Sequence, residues 1–241
     1  MTLDRKTDVR AVLLDVGGVL MVPNPARVGA VTASHGGTDD TESLIRAHFG
    51  AMFAADDGTG LDWPRYYHQL LVRSGVPERR IDAGTEAVTA IYTERNLWDY
   101  PLPGAKRGLA ALVAGGLRVG IVSNSDGTVE QTLREAELCQ VGPGPGVEVE
   151  VLIDSHLVGV AKPDPAIFAI ALDKMGITAA ETVYVGDTRT FDVAGARAAD
   201  LYPVHLDPYA FCYAPGDHEH VTDVPELAGR LGRVAAQREA L

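Results

Sequence analysis

The chain is predicted to adopt an α/β fold, a parallel sheet with helices on both faces, broken once by a helical insertion. Three observations predict it. Short apolar runs alternate with helical stretches around residues 10–16 and again after Pro101, the pattern of strands joined by crossover helices. Between residues 22 and 100 the spacing is helical and strand signals are missing. Finally, four polar clusters each close a hydrophobic run: Asp15 in AVLLDVGGVL, Ser123 in RVGIVSNS, Lys162 in VAKPDP, and Asp187 with Asp192 in TVYVGDTRTFD. In open parallel sheets the site lies outside the carboxyl ends of the strands, so neighbouring strands would bring all four clusters to one crevice.

The first strand is expected over 10–16, where Val12, Leu13, Leu14 and Val16 precede a Gly17-Gly18 turn. In the insertion, one helix is expected to open near Asp39, with Leu44, Ile45, His48, Phe49 and Met52 at helical spacing. A second starts at Asp62-Trp63-Pro64, with proline early in the helix. A third, over 78–95, carries Ile81, Val88, Ile91 and Tyr92. Beyond Pro103 the expected order is helix 104–114, strand 117–122, helix 127–137 and strand 149–153. Helix 165–175 then ends at Gly176, followed by strand 182–186, helix 191–199, a strand at 203–206 and a final surface helix. The expected organisation is a Rossmann-like three-layer core over 1–21 and 101–241, with an inserted α-helical lid over 22–100.

Composition narrows the function classes. The chain has 241 residues, 46% hydrophobic and 22% charged, ordinary for a globular enzyme. Its formal charge of −12 argues against nucleic acid and anionic membranes as partners. An anionic substrate must therefore be drawn by a local positive site. Cys139 and Cys212 match neither a disulfide framework nor a metal-ligand spacing, and read as two free thiols. The polar N-terminus MTLDRKTDVR is unlike a signal peptide, and no apolar run approaches the roughly 20 residues of a membrane span, so a cytoplasmic location is expected. The oligomeric state is not legible.

Each cluster has a plain structural reading and a chemical one. An aspartate at a strand end is commonly a turn residue, but Asp15 could attack phosphorus and form an aspartyl-phosphate. Ser123 is either a cap or a hydroxyl donor to a phosphoryl oxygen. Lys162 precedes Pro163 and Pro165, which stiffen its loop, and a fixed ammonium neutralises charge that builds up in a transition state. Asp187 and Asp192 repel one another unless a cation or hydrogen bonds intervene, and Mg²⁺, a hard ion that takes carboxylates and phosphate oxygens, fits.

Taken together, in this order and spacing, the motifs resemble those of the haloacid dehalogenase superfamily over nearly the whole chain. DVGGVL is similar to the family's nucleophile motif, VSNS to its second, KPDPAIF to its third and VGDTRTFD to its fourth. The helical insertion resembles the family's α-helical cap. The resemblance implies a phosphomonoester hydrolase acting on a small phosphorylated metabolite, a sugar phosphate among the options. Asp15 would be the nucleophile, and Ser123, Lys162 and the Asn124 backbone would hold the phosphoryl group. Mg²⁺ would be held by Asp15, the Gly17 carbonyl and Asp187, with Asp192 acting through water or as an anchor.

One position departs from the family pattern. Where its phosphatases usually carry an acid/base aspartate, two residues after the nucleophile, this chain has Gly17. General acid–base help is typically worth ~10²–10⁴ in rate. Three explanations stay open: an easy leaving group such as a sugar 1-phosphate or acyl phosphate, a substitute acid among His35, His48 and His68, or a weak enzyme that mainly binds phosphate ligands. A 2-haloacid dehalogenase is a further alternative, with Arg46 where a halide-binding arginine could arise. The family's dehalogenases usually have an aromatic residue at the position of Gly17 and no Gly-Asp in the fourth motif, so GDT favours magnesium and phosphate. Trp63, Tyr66, Tyr67 and His68 are candidates for a sugar or aromatic pocket, and Arg46 and Arg65 for a substrate anion, although packing and solvated surface are the commoner uses of such residues.

Overall fold

The computed structural model describes residues 3, 6, 8–94, 97–213 and 217–239. Strand β1 (Ala11–Leu14) is buried at every position, so its apolar run does not alternate: both faces of the sheet are covered. The chain then forms β2 (Met21–Val22) and four helices, α1 (Pro25–Ser34), α2 (Thr41–Ala55), α3 (Trp63–Arg73) and α4 (Ile81–Glu94). β3 (Tyr100–Pro101) returns antiparallel to β2 and closes the base of the insertion. The four helices share a core of their own, which includes Leu44, Tyr66, Leu70, Leu71, Ile81 and Val88.

After α5 (Ala105–Ala114), β4 (Arg118–Ser123), α6 (Val129–Glu135) and the short parallel pair β5 (Cys139–Val141) and β6 (Val147–Val149), the chain reaches β7 (Val151–Asp154) and the single-turn α7 (Ser155–Val158). It continues through α8 (Ala166–Met175), β8 (Thr182–Gly186), α9 (Ala194–Ala198), β9 (Tyr202–Leu206), β10 (Glu219–Val221) and α10 (Val224–Glu239). The main sheet is parallel throughout, in the order β10-β9-β8-β1-β4-β7. One face packs Val12, Leu14, Ile121 and Val185 against Leu109, Leu112 and Leu227 of α5 and α10. The other packs Leu13, Val122 and Tyr184 against Ile167, Phe168 and Ala171 of α8.

The strand order positions the site. From β1 the chain builds outward through β4 and β7, then crosses to β8 and builds the other way, so the direction reverses beside β1. Such a reversal opens a crevice at the strand ends. Register pairs Leu14 with Ile121 and with Val185, so Asp15 emerges between the ends of β4 and β8.

Several elements differ from expectation. Helix α1 precedes the first one anticipated; Asn24 caps it by accepting from the amides of Ala26 and Arg27, with Pro25 in the first turn. The helix expected at 191–199 begins as a wide turn over Arg189–Val193, because the Asp192 carboxylate folds back onto the Thr188 amide and hydroxyl. The three-residue strands β5, β6 and β10 also escaped the hydrophobic pattern. Among the described residues no helix is long and apolar enough to cross a membrane.

Candidate active site

All four polar clusters border one cavity of about 830 Å³ between the sheet's carboxyl edge and the helical insertion; Asp15, Gly17, Ser123, Asn124, Lys162 and Asp187 line it. The Lys162 ammonium is the hub. It lies 2.8 Å from Asp15 Oδ2 and 2.7 Å from Asp192 Oδ1, and donates to the Tyr184 hydroxyl at 2.9 Å. Asn124 clasps the lysine's main chain: its side-chain oxygen accepts from the Lys162 amide at 2.8 Å and its amide donates to the Lys162 carbonyl at 3.0 Å. This side-chain role was missed by the expectation of a backbone amide alone.

The carboxylates are not equivalent. Asp192 is saturated, accepting from Lys162 and Tyr184 on one oxygen and from the Thr188 amide and hydroxyl on the other. Burial works against its charge, but Lys162 and these hydrogen bonds outweigh it and hold the carboxyl below the usual range. Asp15 accepts from the Val16 amide at 2.7 Å through Oδ1. Its carboxyl is pushed up by burial, with Lys162 opposing and Asp192 adding. Asp187 is pushed well above the carboxylate range by burial and then by the charges of Asp192 and Asp15. Its Oδ2 is buried and has no hydrogen-bond partner among the described residues. Carboxylate oxygens of Asp15, Asp187 and Asp192 lie within 4.8 Å of one another. Two buried carboxylates paired to one ammonium, beside a half-buried third whose buried Oδ2 is orphaned, fit a hard divalent cation such as Mg²⁺.

Two glycines permit this crowding. A Cβ on Gly18, whose φ is +66°, would overlap the Asp187 carboxylate, and one on Gly186 would overlap Asp192. At Gly17 the neighbour is different. A Cβ there would lie 3.1 Å from Cζ3 and 3.3 Å from Cε3 of Trp98, so an indole covers the space where an aspartate side chain would start.

The histidines proposed as a substitute acid do not fit. His48 is buried, hydrogen-bonds Tyr66 at 2.9 Å and is driven by burial to a pKa of about 3, so it is uncharged at neutral pH and a poor general acid. His35 bonds back to Val31 at the end of α1, and His68 is exposed; none of the three lines the cavity. Arg46 is exposed, as a surface position would be, and lies outside the cavity lining; its guanidinium stacks on Tyr209 and Phe211, 4.8 and 5.5 Å from the ring centres. Arg65 is exposed and also lies outside the cavity lining. Of the aromatic candidates, Trp63 and Tyr67 line the cavity with Tyr92 and Trp98, whereas Tyr66 is buried in the insertion's core.

Asp56, at the end of α2, also escaped sequence reasoning. Its buried carboxylate accepts from the Arg189 amide at 2.5 Å, the Thr190 amide at 3.2 Å and the Thr190 hydroxyl at 2.5 Å. Arg189 in turn donates to the Asp56 carbonyl and stacks on Phe53. The insertion is thereby latched to the turn that follows Asp187.

A model of haloacid dehalogenase-like hydrolases matches residues 9–200, a span that contains every one of these clusters. A phosphoserine phosphatase of Thermus thermophilus is 35% identical over 177 residues, 69% of this chain and 66% of its own length. A phosphoglycolate phosphatase of Rhodospirillum rubrum is 29% identical over 212 residues, 86% of this chain and 82% of its own. Among solved structures, a HAD phosphatase from Thermococcus onnurineus aligns with a TM-score of 0.54 at 20% identity, covering 93% of this chain and 98% of that one. A dehalogenase aligns with a TM-score of 0.57 at 18% identity, covering 91% and 96%. At such identities the structures speak to fold alone. Sheet order, strand-end cluster and family match agree: the chain belongs to the haloacid dehalogenase-like hydrolases, as a phosphatase-like member.

Proposed function

We propose that the protein is a Mg²⁺-dependent phosphomonoester hydrolase that works through an aspartyl-phosphate on Asp15, with residues 22–100 acting as a cap over a core formed by 1–21 and 101–241. The observation that carries this reading is the orphaned, buried Oδ2 of Asp187 beside an Asp15 carboxylate paired to Lys162. Asp15 and Asp187, with the Gly17 carbonyl, would hold the ion. When bound, it would neutralise the carboxylates and polarise a phosphoryl oxygen. Asp192, already saturated, serves as the anchor that aims Lys162 and Thr188.

The chain's own residues account for the rest. Asp15 attacks phosphorus, the ester oxygen leaves, and water later cleaves the acyl phosphate to regenerate the carboxylate. Lys162 is kept charged because Asp15 and Asp192 outweigh its burial. As Asp15 gives up its charge to the new bond, the ammonium it was paired with is free to meet a phosphoryl oxygen. Ser123, buried at the end of β4 beside the cavity, supplies a hydroxyl to the same group. Gly17 supplies no proton to the leaving oxygen, so a substrate with a good leaving group is favoured. Trp63, Tyr67, Tyr92 and Trp98 form a wall suited to stacking on a sugar or other ring, and among the described residues Lys162 is the only cation lining the cavity.

The test is phosphate release from a phosphomonoester panel, with Mg²⁺ and with EDTA, that sets sugar 1-phosphates and aryl phosphates beside sugar 6-phosphates. Metal-dependent turnover, lost in Asp15→Asn and rising steeply as leaving-group pKa falls, is expected. No turnover anywhere, despite Mg²⁺-dependent binding of a phosphate analogue, would overturn the hydrolase reading in favour of a binding module. Halide release from 2-haloacids without metal would move it to dehalogenation.

A further inference from the structure

A second cluster gathers behind the first. His205 on β9, Cys212 in the following loop, His218 beside β10 and His220 on β10 each bring one ligand-type atom to within 4.8 Å of the others. Three of the chain's seven histidines and one of its two cysteines meet here. The linear order His205-x6-Cys212-x5-His218-x-His220 hides this, because two parallel strands and a loop supply the residues.

The ring nitrogens are oriented as ligands are. His205 points Nε2 at the Asp187 carbonyl, 2.9 Å away, which turns Nδ1 towards His218 Nε2 at 3.0 Å. His218 points Nδ1 at the Asp217 carboxylate, 3.4 Å away, and its Nε2 lies 3.7 Å from Cys212 Sγ. Metal-binding histidines almost always anchor their second nitrogen on a carbonyl or carboxylate in this way. His220 Nε2 is buried and has no hydrogen-bond partner among the described residues. Tetrahedral zinc, with bonds of about 2.0–2.1 Å to nitrogen and 2.3 Å to sulfur, has edges of roughly 3.3 Å between nitrogens and 3.6 Å from nitrogen to sulfur. The observed 3.0 and 3.7 Å lie close to both. A hydrogen-bonded pair of imidazoles would explain His205 and His218, but not the inward Cys212 or the orphaned His220.

We propose that His205, Cys212, His218 and His220 form a closed, structural Zn²⁺ site, separate from the acidic cluster. Four protein ligands leave no open position for catalysis, and three imidazoles with a thiolate suit this borderline-soft ion. Binding releases the Cys212 thiol proton to solvent as the sulfur–metal bond forms.

The location gives the ion a task. The Asp207 carboxylate accepts from the amides of Phe211 and Cys212, shaping the loop. That loop packs on the insertion: Tyr209 lies 5.8 Å from Phe49 and Tyr213 lies 5.2 Å from Phe53, ring centre to ring centre. A metal at Cys212 pins this clasp, and through His205 it also fixes the main chain of Asp187.

The experiment uses the full chain, stripped of metal and reloaded with Zn²⁺ or Co²⁺ in excess Mg²⁺, which keeps the carboxylates occupied. About one equivalent of tightly held Zn²⁺ is expected, as for structural sites. The Co²⁺ form should show intense tetrahedral d–d bands and a thiolate-to-cobalt charge-transfer band. Cys212→Ser should lose the charge-transfer band, and His218→Ala should weaken Co²⁺ binding by at least about 10–100-fold. Cys139→Ser should keep the wild-type spectrum, because Cys139 is buried within β5. Failure to hold either metal, a thiolate-free octahedral Co²⁺ spectrum, or a charge-transfer band that survives in Cys212→Ser would overturn the site. If Cys212→Ser does not fold, the wild-type and Cys139→Ser spectra decide, since only a thiolate ligand gives that band. None of these readouts depends on phosphatase turnover.

Discussion

The cavity's two walls are built from different interactions. On the core side, Lys162, Tyr184, Thr188 and Asp192 bond one another within 3 Å, and Asn124 clasps the Lys162 main chain. Across the cavity, Trp63, Tyr67 and Tyr92 meet ring against ring, with centres 5.0–6.2 Å apart. The first wall is a network of fixed charges and hydrogen bonds, and the second presents ring faces and edges. On the proposed reading the core wall carries the chemistry and the insertion carries the selection.

The largest expected effects fall on the polar wall. Asp15→Asn removes the proposed nucleophile while keeping its shape, and turnover should fall by on the order of 10⁴-fold or more, with far-UV CD and melting intact. Retained turnover in purified protein would break the assignment. Asp187→Asn should weaken Mg²⁺ by at least about 10–100-fold, read from a metal titration of activity and, independently, from calorimetry. An unchanged titration would move the ion elsewhere.

The latch between the walls ranks next. Asp56→Ala leaves the Arg189 and Thr190 amides and the Thr190 hydroxyl without their carboxylate. A buried group left unsatisfied costs roughly 1–3 kcal/mol, so melting should drop accordingly, and KM should rise because the insertion loosens over the cavity. A stability loss with unchanged KM would show that Asp56 holds structure without setting the cavity.

Legibility in the sequence follows the same division. Asp15, Ser123 and Asp187 were legible because each ends or follows a strand, a signal contained in a few neighbouring residues; Lys162, expected to close a strand-like run, instead follows the single-turn α7 in a loop. The reversal of strand order beside β1 then does the rest, bringing four distant segments together. Tyr184 was not legible: inside TVYVGD it reads as one more strand residue, and its bonds to Lys162 and Asp192 exist only once α8 and β8 are packed. Asp56 bonds a residue 133 positions away. The His205 cluster is invisible for the same reason, since two strands and a loop supply its residues.

Trp98 and Gly17 are where the two walls touch, and they offer the finest test of the division. Restoring an aspartate at position 17 by itself should not create a general acid. Its Cβ would press on the indole at 3.1 Å, and overpacking of this kind typically costs about 1–3 kcal/mol. Gly17→Asp should therefore lower stability with no gain on esters that have poor leaving groups. Removing the indole with Trp98→Ala opens the space, and the double variant should recover part of that stability, with a coupling on the order of 0.5–3 kcal/mol in a double-mutant cycle. It should also narrow the gap between good and poor leaving groups, since a carboxyl now stands where the proton is needed. If the two substitutions prove additive in both stability and leaving-group dependence, the indole does not control position 17, and the missing acid is a property of the core wall alone.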